Sequence, residues 1–325
     1  MLVKFLITIS IIINPFNVLI GYVNDLIPSF SFDFGQENVS DVIYLDSNSI
    51  VKSLLSAAIS AVKLTNPNFL PIRDLGINDP NIEARASLIF DLSNNKILYQ
   101  KNTDLVLPIA SLTKLMTSLI VLENLELEEI VSVSSKALER GYGVKGGLMV
   151  NEKISVKNLF HALLMESSND AAMVLAEAVE QKTDNNFVYL MNQKARELGL
   201  RDTYFSDPSG FNSNNVSTVK EVVKIVEYSF KWSVIWEIMK TPTINLSSSD
   251  GKINHYWVNT DELLNRLPNI IGGKTGYTVE AQGCLVLVID QYLSGKYLIT
   301  IVLGAQERFL QTEKLIDWVK MAYKW

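Results

Sequence analysis

Cysteine and histidine are scarce in this chain: among 325 residues there is one cysteine, Cys284, and there are two histidines, His161 and His255. A single cysteine excludes an internal disulfide and a thiolate metal cluster. The histidines stand far apart in unrelated contexts. Neither suits a Ser-His-Asp triad or a zinc ligand set, so both read as structural or surface residues. Any nucleophile here needs a different base. Basic charge is short as well, with 29 Lys and Arg against 35 Asp and Glu for a net charge of −6, so no basic surface announces nucleic-acid binding. No internal repeat and no low-complexity tract appear, and nothing implies a metal or an organic cofactor.

What is present starts with an apolar run. Lys4 precedes FLITISIIIN, and PFNVLIGYV continues to Val23. A positive charge ahead of a short apolar stretch resembles an export signal. The whole span is about long enough to cross a bilayer, although Asn14, Pro15 and Asn17 interrupt it. No small-x-small cleavage site follows, so residues 1–23 read as an export signal or a retained anchor. Residues 24–80 read as a spacer, with a possible helix over Ile50–Leu64 and a Pro- and Asn-containing linker, TNPNFLPIRDLGINDPN.

Regular patterning begins at Ala84. ARASLIFDL, SNN and KILYQKN predict a strand, a turn and a second strand. An apolar helix follows Ser111, and the region from about 125 to 255 reads as largely helical. Ser155 is expected to cap SVKNLFHALLM, and Gly199 to end NNFVYLMNQKAREL. Three further strands, IIGGKTGYT, CLVLVID and YLITIVLG, precede a closing helix, RFLQTEKLIDWVKMAY. This order predicts an α+β fold, an antiparallel sheet with a helical lobe.

A serine without a histidine partner can use a lysine three residues later on a helix, where both share one face. The tetrapeptide Ser-x-x-Lys occurs six times, from Ser49, Ser60, Ser93, Ser111, Ser217 and Ser249. Ser49 and Ser60 lie in the spacer. Ser93 and Ser249 fall in polar turn sequence, and Ser217 reads as a helix N-cap. Ser111 alone opens a strongly apolar helix, which would shelter Lys114 and lower its pKa. Two more stretches complete a set. SSND at 167–170 carries Ser167 and Asn169 on a loop between helices, where helix capping is the alternative reading. GGKTGYT puts glycines around Lys274 and Thr275, in a strand where a bulge would serve equally.

The trio Ser111-x-x-Lys114, Ser167-x-Asn169 and Lys274-Thr275-Gly276 is similar to that of the penicillin-recognising serine enzymes. The surrounding stretches PIASLTKLMTSLIVLE, LLMESSNDAAMVLAE, MNQKARELGLRDTYFSDPSGF, IIGGKTGYT and IVLGA resemble the D-alanyl-D-alanine carboxypeptidases, the low-molecular-mass penicillin-binding proteins. The likeness runs from about Ile82 to Trp325. It implies a β-lactamase/transpeptidase-like fold of the α/β (α+β) class, with a five-stranded antiparallel sheet flanked by helices plus an all-helical lobe. Residues 81–325 would form the catalytic domain, without a C-terminal β-domain.

The resemblance also implies roles. Ser111 would attack the bond between the terminal D-alanines of a peptidoglycan stem peptide. Lys114 would be its base, and Ser167 with Lys274 would relay a proton to the leaving amine. Asn169 would hold the substrate backbone, and the N–H groups of Ser111 and Tyr277 would form the oxyanion hole. Gly276 belongs to the third motif, and Thr275 with Arg308 would bind the terminal carboxylate. β-Lactams would be covalent inhibitors, and the enzyme would work in the cell envelope; if it is held to the membrane, the N-terminal segment would do it. DD-endopeptidase action, a class A-like β-lactamase and a non-catalytic wall-binding protein are the alternatives. Two departures stand out at what reads as the cleft rim. Asn259-Thr260-Asp261 replaces the family's Asn-Thr-Asn, and Glu280-Ala281-Gln282-Gly283 replaces its usual Ala-Gly.

Overall fold

The structure, a computed structural model, describes residues 71–290 and 296–325. The apolar N-terminal run and the helix expected over Ile50–Leu64 lie outside them. In chain order the main elements are strands β1 (Ala86–Asp91) and β2 (Lys96–Lys101), then helices α1 (Thr113–Asn124), α2 (Ser135–Arg140), α3 (Val156–Leu164), α4 (Asn169–Thr183), α5 (Phe187–Glu197), α6 (Val219–Ser229) and α7 (Ser233–Met239). Strands β3 (Ile270–Thr278), β4 (Gln282–Asp290) and β5 (Tyr297–Ala305) follow, and helix α8 (Arg308–Ala322) comes last.

The five strands form one antiparallel sheet in the order β3-β4-β5-β1-β2. Alternation along each strand sends side chains to opposite faces. Leu88, Val286, Ile299 and Ile301 face the helical lobe, whereas Ile89, Leu285, Leu287 and Val302 face α8 through Leu315, Trp318 and Val319. Both faces are covered, which is why β4 and β5 read as almost unbroken apolar runs. Helix α1 is buried from Thr113 through Val121, so its apolar side chains extend all round.

Local signals act where expected. The Ser155 hydroxyl accepts the Asn158 N–H to cap α3. Past α5, the Gly199 N–H reaches Arg196 O and the Leu200 N–H reaches Ala195 O, with Gly199 at φ +66°, a paired C-terminal closure. Other readings shift. Thr218, not Ser217, caps α6, while Ser217 sits in a two-residue strand paired with Leu107–Pro108. The largely helical middle also holds two small ribbons, Ile130–Ser132 with Lys153–Ser155 and Thr243–Ser247 with Asn254–Val258. The end of the expected spacer is attached to the body: Ile72–Arg73 pairs with Tyr323–Lys324, and the Arg73 guanidinium lies 4.8 Å from the Trp318 ring centroid.

Candidate active site

Ser111 lies in a short 3-10 turn, Ala110–Leu112, that leads into α1. The turn is strained and clamped. Ala110 has φ +48°, and Gly210, at φ +80°, runs so close that a Cβ there would meet Ala110 O at 1.9 Å. On the other side a Cβ at Gly276 would stand 3.0 Å from the Ser111 nitrogen. The glycine in the third motif therefore lets β3 run against the nucleophile's own backbone, beside Tyr277.

Lys114 follows one helical turn later, fully buried, with Nζ 3.0 Å from Ser111 Oγ. Its other partners are Asn169 Oδ1 and Ser209 O, each at 2.6 Å. Burial, and then the charge of Lys274, hold this amine well below the usual lysine range, against the opposing pull of Asp207 and Asp170.

The second motif spans a junction rather than a loop. Ser167 adopts φ +62°, Ser168 caps α4 by accepting the Ala171 N–H, and Asn169 is already helical. Asn169 thus bridges Lys114 and the loop at 141–147, donating through Nδ2 to Tyr142 O while its own N–H reaches Val144 O. Lys274 on β3 donates to Ser167 Oγ at 2.9 Å and to Thr275 O at 3.0 Å. Burial pushes its ammonium down to about 7, with Asp261 opposing the fall and Arg308 adding to it.

The profile of the D-alanyl-D-alanine carboxypeptidase family matches residues 74–307. The chain belongs to this family. It is 32% identical over 248 residues to a D-alanyl-D-alanine endopeptidase of Escherichia coli, covering 75% of this chain and 79% of that protein. It is 31% identical over 252 residues to a D-alanyl-D-alanine carboxypeptidase of Bacillus subtilis, covering 74% and 63%. Among solved structures, the Streptomyces K15 DD-transpeptidase superposes with a TM-score of 0.69 at 28% identity, covering 75% of this chain and all of that one.

In this member of the D-alanyl-D-alanine carboxypeptidase family, Ser111, Lys114 and Asn169 form one hydrogen-bonded group, and Ser167 and Lys274 form a second. Gly276 and the exposed Tyr277 stand beside them on β3. The Thr275 hydroxyl lies 2.5 Å from that of Thr260, which also donates to Met165 O. Arg308 opens α8 and packs against Gly283, the residue opposite Tyr277 in the register. Its Nε is buried without a hydrogen-bond partner among the described residues. The histidines stay outside: His161 Nδ1 lies 2.9 Å from Lys157 O, and His255 pairs with Glu152 at 2.6 Å.

Two features escaped the sequence reading. The stretch DPSGF gained no role there, yet Asp207 accepts the N–H groups of Ser209, Gly210 and Asn212, shaping the loop that clamps Ser111 and supplies Ser209 O to Lys114. Burial alone would raise the Asp207 carboxyl, but the hydrogen bond from the Ser209 hydroxyl, together with these N–H groups, outweighs it and lowers it. Asp261, expected at the rim, is instead 1% exposed.

Proposed function

We propose that this protein is a serine DD-carboxypeptidase that removes the terminal D-alanine of peptidoglycan stem peptides through an acyl-enzyme on Ser111. The observation that carries the reading is the buried Lys114 amine, 3.0 Å from Ser111 Oγ and otherwise bound to neutral acceptors. A neutral amine donates two N–H bonds, to Asn169 Oδ1 and Ser209 O, and turns its lone pair to the Ser111 hydroxyl. Lys114 takes that proton as Oγ attacks the carbonyl carbon of the penultimate D-alanine. The N–H groups of Ser111 and Tyr277 receive the developing oxyanion. Losing one such donor costs about 10²–10³ in rate.

Collapse of the tetrahedral species breaks the C–N bond, and Lys274 passes a proton through Ser167 to the departing amine of D-alanine. Water then attacks the ester, its proton passing to Ser111 Oγ as the shortened peptide leaves, and exchange with solvent returns Lys114 to the amine and Lys274 to the ammonium. The remaining Nδ2 hydrogen of Asn169 is assigned to the substrate backbone, and Thr275 with Arg308 to the terminal carboxylate. A β-lactam offers its amide carbonyl to the same nucleophile and is captured covalently. The substrate places the work outside the cytoplasm, and the apolar segment 5–23 is the export or anchoring element.

A fluorescent penicillin is expected to label the wild-type chain and not Ser111→Ala, with D-alanine released from diacetyl-Lys-D-Ala-D-Ala only by the former. An unlabelled wild type, or equal labelling of both, overturns the reading. Relatives named as endopeptidases support cross-linked peptides as a second substrate. Faster cleavage of a cross-linked muropeptide dimer than of a pentapeptide would assign that preference.

A further inference from the structure

Asp261 is a carboxylate pressed against the strand of the third motif, and its surroundings are unusual for a charged group. Its Oδ1 accepts the Leu263 N–H at 3.0 Å, while Oδ2 is buried without a partner among the described residues. That oxygen occupies the space a side chain at 273 would need: a Cβ on Gly273 would lie 2.4 Å from it. Gly273 immediately precedes Lys274, so the carboxylate is packed against the strand one residue from the lysine, on the face opposite the one from which the Lys274 side chain reaches Ser167. The segment is held there. The Asp261 N–H donates to Asn259 Oδ1 at 2.9 Å, the Thr260 N–H donates to Met165 O at 3.0 Å, and the Thr260 hydroxyl meets that of Thr275.

An unpaired buried carboxylate is costly unless opposite charge lies close enough to act through the interior, where screening by water and salt is weak. The charged groups facing Asp261 are Lys274 from β3, Arg308 from α8 and the neighbouring Glu262. Lys114 differs. Its contacts are a hydroxyl, an amide oxygen and a carbonyl, and the carboxylates near it, Asp207 and Asp170, accept hydrogen bonds from Ser209 and from Gly146 and Ala171. One lysine of the cleft thus has an uncommitted buried anion in its field, and the other does not.

We propose that Asp261 is a positioning residue for proton delivery: it is the buried counter-charge that keeps Lys274 protonated and bound to Ser167 while Lys114 is neutral. This rests on the carboxypeptidase reading, in which one lysine donates and the other accepts. Pairs of titratable groups driven apart by their environments are what acid and base roles require. Burial raises the Asp261 carboxyl to about 6, so the counter-charge is in place above that pH and absent below it.

The test is Asp261→Asn, which keeps the shape and the Leu263 contact but removes the charge. Lysine-selective NMR of side-chain ¹³Cε in the full-length protein, with Lys274 assigned through Lys274→Arg, reads the titration without any turnover. We expect the Lys274 midpoint to fall by about one unit or more in the variant. The alkaline limb of the rate of Ser111 acylation by a β-lactam moves acidward with it. Below about pH 6, where Asp261 is protonated in the wild type, the two rates converge. An unmoved midpoint, or a rate loss equal at every pH, overturns the proposal. The wild type alone gives a second reading, because a coupled pair titrates in two steps. A single-step Lys274 curve would therefore sink the idea even if the variant failed to fold. Absence of labelling in the wild type defeats the carboxypeptidase reading instead, and the lysine titration still judges Asp261.

Discussion

At the scale of single residues, the contacts of Lys114 match the valence of a neutral amine. Two acceptors take its two hydrogens, and the Ser111 hydroxyl faces what remains. A third full acceptor, or a carboxylate in place of an amide, would favour the ammonium and cost the base its lone pair. Asn169→Asp makes that change at the atom 2.6 Å from Nζ. The acidic limb of the acylation profile is expected to move to higher pH by about one unit or more, with a lower rate at neutrality. A profile identical to the wild type would show that Asn169 does not tune Lys114. The wild-type profile should be bell-shaped, rising as Lys114 loses its proton and falling as Lys274 does so near pH 7.

Stability has its own residue-scale signature. The folded Asp261 carboxyl titrates near 6, above its ordinary value of 3.8. The folded state therefore binds the extra proton between those values, and the stability this group contributes is lost as pH rises through 6. Asp261→Asn is expected to flatten that part of the dependence of the thermal midpoint on pH. Retention of the full slope would place its origin elsewhere. Ser111, Lys114 and Lys274 were marked in the sequence by an apolar helix and by flanking glycines, whereas Ser167, inside the polar run ESSND, was singled out only by the resemblance of the whole set. Asp261 was visible as a substitution but not as a buried charge. Its burial comes from Gly273, twelve residues along and across a turn, and no local pattern encodes that approach.

Among elements, the turn that carries Ser111 is shaped by its neighbours more than by its own sequence. Gly210 presses on Ala110 from the loop that Asp207 organises, and Gly276 presses from β3. Gly210→Ala would force a side chain into a positive-φ position and into Ala110 O. We expect a loss of roughly 1–3 kcal/mol from the backbone conformation alone, together with a large fall in labelling of Ser111. Gly251→Ala is the control: φ is +72° there, but nothing lies within 4 Å of a new Cβ. It should destabilise and leave the acylation rate unchanged. Equal acylation by both variants would detach the Gly210 clamp from catalysis. Long elements such as β3, β4, β5 and α8 were legible because apolar runs and helical spacing persist over many residues. The ribbon at Thr243–Ser247 and Asn254–Val258 was not. Its strands do alternate, with Ile244 and Leu246 on one and His255 and Trp257 on the other turned inward, but each is only five residues long and one inward position is a histidine, so the signal is brief.

For the molecule as a whole, residues 71–80 belong to the same packed body as the closing helix. Asp74 donates its N–H to Ala322 O, and the Trp318 indole donates to Asn78 O at 2.8 Å. A chain beginning at residue 82 should therefore melt lower than one beginning at 71, by about 2–4 °C for each kcal/mol lost. Both should still be labelled by penicillin, since none of these contacts touches the cleft. Equal melting would mean the attachment contributes nothing.

Strand β3 lies at the border of the sheet, with β4 on one side only. A border strand is ordinarily a hazard, because its free backbone groups can template pairing with another molecule and propagate into aggregates. Here one face of the border strand is covered at both ends. Trp236 and Met239 of α7 stand over Gly272, and the Ser111 turn stands over Gly276. On the carboxypeptidase reading, a substrate laid along this border would use backbone groups that are ordinarily a liability. The glycines at 272 and 276 that admit these two neighbours tie the sheet's border both to the helical lobe and to the nucleophile's turn.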